Sequence, residues 1–271
     1  MIQEFLKEYE PHLFNDHFQN YKRYSIPKAQ LVIADIPYNV GKNAYGSNPS
    51  WYIGGDNSNG ESEKANTEFF DTDKDFRIPE FLHFCTKMLK KEPKETGKSP
   101  CMLVFCEFEQ QFDLIQQAKE YGLNRYINLV FRKNFSAQVL KANMRIVGNC
   151  EYAVLLYREK LPKFNNHGKM VFNCFDYERD TETTKIHPTQ KPIKLLKRLI
   201  EIFTDEGDIV IDPCAGSGTT LKAAIETNRQ AYGFEIKKNY FKEANEKILN
   251  NIQRNLFQNN IRTAKPSEFA F

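Results

Sequence analysis

The chain contains no run of about 18 or more apolar residues, so nothing in it reads as a membrane-spanning helix. Its first ten residues, MIQEFLKEYE, carry acids where a secretory leader needs a basic segment followed by an apolar one, and the expected location is the cytoplasm. The six cysteines (Cys85, Cys101, Cys106, Cys150, Cys174, Cys214) form no CxxC pair, and the five histidines do not fall at ligand spacing. Neither a disulfide framework nor a metal site is expected. No internal repeat is evident, and net charge is only +3. What the chain does have is 271 residues, 41% of them hydrophobic and 27% charged, enough for one globular domain over 1–271 with a sizeable core.

Charge is unevenly spread. Between Arg125 and Lys169 there are nine Lys/Arg against two acids, Glu151 and Glu159. Such a block suits phosphate binding, although a solvated surface balanced elsewhere has the same composition.

Apolar patterning alternates between short strands and amphipathic helices. QLVIAD (30–35), PCMLVFCEF (100–108), RYINLVFRK (125–133), CEYAVLLYR (150–158), IVID (209–212) and QAYGFEI (230–236) read as strands. Helical spacing follows in 78–91, 110–122, 189–203, the segment TTLKAAIETN, and from Tyr240 to about Leu256. The alternation predicts an α/β fold with a doubly wound, mainly parallel sheet. Residues 39–77, rich in Gly, Asn and Ser, read as a long mobile loop, and 159–186 shows no clear element.

DIVIDPCAGSGTTLKAA (208–224) carries the strongest signal. A buried strand ends at Asp212, a turn holds Gly216 and Gly218, and a helix follows, an arrangement in which a ligand approaches backbone amides closely. A P-loop requires GK[ST], but Gly218 is followed by Thr219 and Thr220, with Lys222 one turn too late. A dinucleotide fingerprint requires a third glycine for helix–strand packing, and Leu221 stands in its place. Glu235 ends the next strand, 23 residues after Asp212, where a carboxylate accepts hydrogen bonds from ribose hydroxyls. A nucleotide-like cofactor is the expectation, with ATP hydrolysis losing its main support and NAD disfavoured.

ADIPYNV (34–40) adds a strand ending in an acid, a proline and an aromatic. Taken together, DIPY, HPTQKP, DPCAGSGTT and GFEIKKNY resemble the motifs of the DNA amino-methyltransferases that use S-adenosylmethionine, in the order of their circularly permuted beta group. The matching blocks span about residues 30–250. The resemblance implies a Rossmann-like methyltransferase fold with a small target-recognition insertion, placed here at 133–186. It also implies S-adenosylmethionine as cofactor and double-stranded DNA as substrate, with no membrane partner. The family often forms dimers, so a homodimer is a candidate state and a cognate restriction endonuclease a candidate partner, although the sequence itself is silent on the latter.

By residue, the resemblance assigns the cofactor's methionine side to Asp212, Cys214, Gly216, Gly218 and Thr219, and the ribose to Glu235. Thr189 and Lys191 are placed beside the cofactor, near its carboxylate, and His187 is left unassigned. Asp35, Ile36, Pro37 and Tyr38 are the catalytic turn: the Asp35 carboxylate and the Ile36 carbonyl accept hydrogen bonds from the target amine, and Tyr38 gives a face for a flipped base. The family usually has proline at the position of Ile36, so the turn here carries an extra N–H that needs a partner. The aspartate start goes mostly with adenine N6, a serine start with cytosine N4. Lys133, Lys141, Arg145, Arg158 and Lys163 are the DNA-binding candidates. Two other readings stay open: an N4-cytosine, RNA or protein-amide methyltransferase, and a DNA-binding module that has lost catalysis.

Overall fold

A computed structural model of the chain describes residues 10–38, 76–134, 138–141, 146–187 and 189–250. Its strands are β1 (His12–Phe14), β2 (Leu31–Asp35), β3 (Cys101–Cys106), β4 (Arg125–Lys133), β5 (Gln138–Lys141), β6 (Ile146–Gly148), β7 (Cys150–Tyr157), β8 (Cys174–Tyr177), β9 (Ile209–Asp212) and β10 (Gln230–Phe234). The helices are α1 (Ile78–Met88), α2 (Gln110–Glu120), α3 (Ile193–Phe203), α4 (Thr219–Ile225) and α5 (Lys238–Glu243). After α5 the backbone widens into a π-type turn over Ala244–Leu249. The single long helix expected from Tyr240 therefore changes pitch, and its part beyond Asn250 lies outside the described residues, as does most of the loop 39–77.

Eight strands form one sheet in the order β1-β10-β9-β2-β3-β7-β4-β8. From β1 to β3 every pairing is parallel; β7 runs antiparallel between β3 and β4, and β8 is parallel to β4. β5 and β6 make a separate antiparallel hairpin. β7 and β8, within the 133–186 region, are ladder members of the main sheet, whereas its β5–β6 hairpin is not. β1 and β8 had no sequence signal: three and four residues are too short to show a period of two.

LVIAD in β2 explains the layering. Leu31 and Ile33 face one layer, with α3, α4 and the π-type turn, whereas Val32 and Ala34 face the other, with α1 and α2. A strand buried on both faces needs apolar residues at consecutive positions, and only Asp35, at its end, breaks the run. α3 follows the same rule, burying Leu195, Leu196, Leu199, Ile200 and Phe203 on one side.

The glycine missing from the loop fingerprint has a counterpart elsewhere. Gly233 in β10 faces α4, and a Cβ there would lie 2.7 Å from Leu221 Cδ1 and 3.2 Å from the Asp212 carbonyl oxygen. The close helix–strand approach is thus provided by the strand rather than by the helix.

The chain leaves β9 toward β10 on one side, while β2 leads to β3 on the other. Strand order reverses between β9 and β2, and in such sheets ligands bind beyond the strand ends at the reversal. Asp212 and Asp35 are the last residues of those two strands. Motifs 177 residues apart in sequence thereby meet at one edge.

Candidate active site

A cavity of about 330 Å³ opens at this edge, within the usual size range of small-molecule sites. Its lining contains Asp35, Ile36, Pro37 and Tyr38 from the end of β2, Thr189 and Lys191 from the loop before α3, and Asp212, Cys214, Gly216, Thr219 and Glu235 from the loops after β9 and β10. Gly218 is not among them. It caps α4 with a left-handed backbone (φ +76°), and any side chain there would meet Ala244 and Leu249 at 3.4–3.5 Å, so its place is in the turn and the packing of the π-type segment.

The glycine loop is pinned by two acids. Asp212 Oδ1 accepts a hydrogen bond from the Cys214 amide at 2.9 Å, and the Thr220 side chain also bonds this carboxyl. Burial pushes Asp212 up to about 7 despite these bonds. Glu235 accepts from the Lys237 amide at 2.6 Å and from the Gly216 amide, and burial raises it to about 7 as well. His187 stacks edge-on against Tyr240 at 4.7 Å and lies 3.5 Å from where a Gly216 side chain would be; burial, then the nearby Lys191, lowers it to about 4, so it is neutral at physiological pH.

Around the catalytic turn the chain supplies what a second proline would not. The Ile36 amide donates to the Phe105 carbonyl at 3.1 Å, and the Ile36 side chain is buried with Phe18, Phe81 and Phe84. The extra N–H is satisfied and the extra side chain fills core. Gln110, the first residue of α2, donates to the Pro37 carbonyl at 2.8 Å and accepts from the Glu107 amide at 2.9 Å, tying the turn to the end of β3.

Lys191, which the resemblance places beside the cofactor, lines the cavity and reaches the catalytic turn. Its ammonium, 5% exposed, donates to Asp35 Oδ2 at 2.7 Å and to the Tyr38 hydroxyl at 3.3 Å, and lies 3.2 Å from Glu151 Oε2. It also sits over the rings of Tyr38 and Phe105 at 5.5 and 5.1 Å. Burial alone would lower its pKa, but Asp35 and Glu151 hold it well above the ordinary lysine value. Asp35 is raised by burial, with Lys191 pulling the other way. Its second oxygen, Oδ1, has no hydrogen-bond partner among the described residues. An unpartnered buried carboxylate oxygen is costly unless a donor arrives.

Of the DNA-binding candidates, Lys133, Arg158 and Lys163 are not brought together. Lys133 is bound to Glu151 and covers the Tyr177 ring, with only 11% of its side chain exposed. Arg158 donates to the Lys90 carbonyl and Lys163 pairs with Asp205, both at the opposite sheet edge, where β7 ends beside the start of β3. β7 runs eight residues, so roughly 25 Å separates that edge from Asp35. The basic stretch is continuous in sequence only, because β4 and β7 are antiparallel and carry their terminal charges to opposite edges. Arg145 and the Lys141 side chain lie outside the described residues.

A family model described as DNA methylase, of the N6/N4 type, matches residues 29–246. The chain belongs to this family. Among curated members, the DNA adenine methyltransferase YhdJ of Escherichia coli K12 is 28% identical over 251 residues, covering 85% of this chain and 79% of that protein. The type II methyltransferase M2.DpnII of Streptococcus pneumoniae is 45% identical over 95 residues, 34% of this chain and 35% of that protein. Of solved structures, the complex of M1.HpyAVI with SAM superposes with a TM-score of 0.60 at 20% identity, over 88% of this chain and 99% of that one. The cytosine-N4-specific PvuII DNA methyltransferase does so at 0.64 and 14% identity, over 92% and 95%. At these identities the structures establish a shared Rossmann-like fold.

Several members of this methylase site had no sequence signal. His17 and Phe18 line the cavity because β1 pairs with β10 and places the turn after it beside Glu235. Phe76 also lines it, as do Ser217, Thr220 and Tyr240, which lie within the quoted motifs but were not singled out there. Glu151 reaches Lys191 from a strand 40 residues earlier, a contact that only the sheet order creates.

Proposed function

We propose that the protein transfers a methyl group from S-adenosylmethionine to the N6 amine of adenine in duplex DNA. The observation that carries this reading is the Asp35 carboxylate on the wall of the cavity, held at Oδ2 by Lys191 at the end of the strand that meets the glycine loop. Adenine is favoured by the aspartate that starts the turn and by the extended match to an adenine methyltransferase. The type II names among the relatives support a restriction–modification setting, and with it a cognate endonuclease.

The residues present fit the cofactor. Glu235 is a buried acceptor for ribose hydroxyls; Phe18, Phe234 and Ile236 offer apolar surface; Ser217, Thr219, Thr220 and Thr189 offer polar groups toward the glycine loop. When bound, S-adenosylmethionine supplies an electrophilic methyl group on a sulfonium sulfur. The target amine is a poor nucleophile because its lone pair is delocalised into the ring. The Asp35 carboxylate and the Ile36 carbonyl, accepting its two N–H bonds, let the nitrogen become tetrahedral and stabilise the positive charge it gains. Tyr38 stays neutral, since burial raises its hydroxyl well above its usual value, and its ring faces the base. Asp35, whose burial makes it more basic than an ordinary carboxylate, is the acceptor in reach for the proton the methylated amine loses.

Incubating the protein with unmethylated genomic DNA and labelled S-adenosylmethionine, followed by nucleoside chromatography, tests the reading. N6-methyldeoxyadenosine is the expected product. N4-methyldeoxycytidine would overturn the base assignment, and unlabelled DNA that still binds would overturn the catalytic one.

Cofactor binding should depend on pH through Glu235. Ribose hydroxyls bond the ionised form, and this acid sits at about 7 in the free protein. Affinity for S-adenosylhomocysteine is therefore constant above about pH 8 and weakens toward tenfold per pH unit below about 7. Calorimetric titrations from pH 5.5 to 8.5 measure this slope, which Glu235→Gln should flatten.

A further inference from the structure

Glu151 is the second residue of β7, two strands away from Asp35 across β3. Its carboxylate is 14% exposed and lies between two cations. Lys133 of β4 contacts Oε1, Lys191 lies 3.2 Å from Oε2, and the same Lys191 ammonium donates to Asp35 Oδ2 at 2.7 Å. The four groups form a line of alternating charge, Lys133, Glu151, Lys191, Asp35, whose formal charges cancel. Glu151 does not line the cavity, so it touches neither cofactor nor base.

We propose that Glu151 is a positioning residue for methyl transfer: it holds the Lys191 ammonium against Asp35 Oδ2 and cancels its charge, so that the Asp35 carboxylate keeps its own negative charge for the target amine. The proposal rests on the amino-methyltransferase reading. Its physical ground is that the amine becomes positive as the methyl arrives. An ammonium balanced by Asp35 alone would spend the one negative charge the reaction needs. With Glu151 taking the other side of Lys191, Asp35 keeps its negative charge for the substrate while its geometry is fixed by one strong hydrogen bond.

The other ionisable groups facing this line are few. The Tyr177 ring of β8 covers Lys133, and the Tyr38 hydroxyl bonds Lys191. Through space, Glu151 raises Glu107 after β3, Asp35 raises Cys106 and Asp212, and Lys191 lowers His187. None of them contacts the Lys191 ammonium from the side that Glu151 occupies, among the described residues.

Removing the Glu151 charge should make Asp35 less basic, because Glu151 is among the groups that raise it. Glu151→Gln is expected to lower kcat about tenfold or more, with KM for S-adenosylmethionine changed less than about twofold and the acid limb of the kcat profile moved to lower pH. The double variant Lys133→Gln/Glu151→Gln loses one charge of each sign; it is expected to regain part of the lost kcat, and it is the variant to use if the single one does not fold. Carboxyl ¹³C titration of Asp35, which requires no turnover, should show a lower midpoint in Glu151→Gln than in the wild type. Wild-type kcat with an unmoved Asp35 midpoint would overturn the proposal. A wild-type protein that methylates no adenine would instead overturn the functional reading, with the Asp35 midpoint still deciding whether Glu151 sets its charge.

Discussion

Replacing Asp35 with alanine is expected to lower kcat by about a thousandfold while leaving cofactor affinity within about threefold of the wild type. The size follows from what one preorganised group aimed at developing charge is worth, roughly 3–4 kcal/mol in a site shielded from water. Asp35 is such a group because its position is overdetermined. It ends a strand buried on both faces, its neighbour Ile36 is fixed by the bond to the Phe105 carbonyl, and its Oδ2 is fixed by Lys191. Only Oδ1 is uncommitted. Alanine removes the acceptor and the proton-accepting base together. The substitution should not unfold the chain, since Lys191 keeps Glu151 as its counter-ion. Single-turnover methylation with saturating DNA, paired with S-adenosylhomocysteine binding, separates the two effects. An Asp35→Ala enzyme with kcat within tenfold of the wild type would remove Asp35 from the mechanism. Asp35→Asn is the sharper companion: it keeps the shape but turns one acceptor into a donor facing the amine, and should be no more active than alanine.

How much of this was readable beforehand depends on the range of the interaction. The two strand-ending acids and the glycine loop were legible because each is a local pattern, an apolar run closed by a carboxylate and a turn. The mixed sheet was legible as a class, but its order was not. Nothing local says that β7 inserts antiparallel between β3 and β4, and that insertion decides where Lys133 and Arg158 end up. Lys133 becomes a buried partner of Glu151, whereas Arg158 and Lys163 go to the far edge and pair there. A charge count along the chain predicts a spatial patch only when the chain does not reverse within it. Ile36 shows the converse. Judged against the family it carried an extra N–H in need of a partner; its amide has one and its side chain fills core, both supplied by β3 and α1 rather than by sequence neighbours.

Lys191 is where these non-local contacts converge, and Lys191→Met should be the most destabilising single change in the site. The substitution leaves Asp35 and Glu151 facing a space with no cation between them, and removing one member of a buried ion group costs about 3–5 kcal/mol. The sign of its pH dependence is distinctive. In the wild type Glu151 is held below its ordinary value: burial pushes it up, but Lys191 and Lys133 more than offset this, so its contribution to stability is present near neutral pH and is lost on acidification. Without Lys191, Asp35 loses the cation that lowers it, and Glu151 loses one of two. Their folded pKa values rise, so the penalty grows as pH increases past the unfolded carboxylate values of about 4. Urea denaturation at pH 5 and pH 8 should therefore show a gap between variant and wild type that widens with pH. Residual activity should shift in the same sense, its acid limb moving to higher pH, opposite to the shift expected for Glu151→Gln. A stability gap of equal size at both pH values would mean that Lys191 acts through packing alone, and the alternating charges would then be a consequence of the fold rather than a setting of the site.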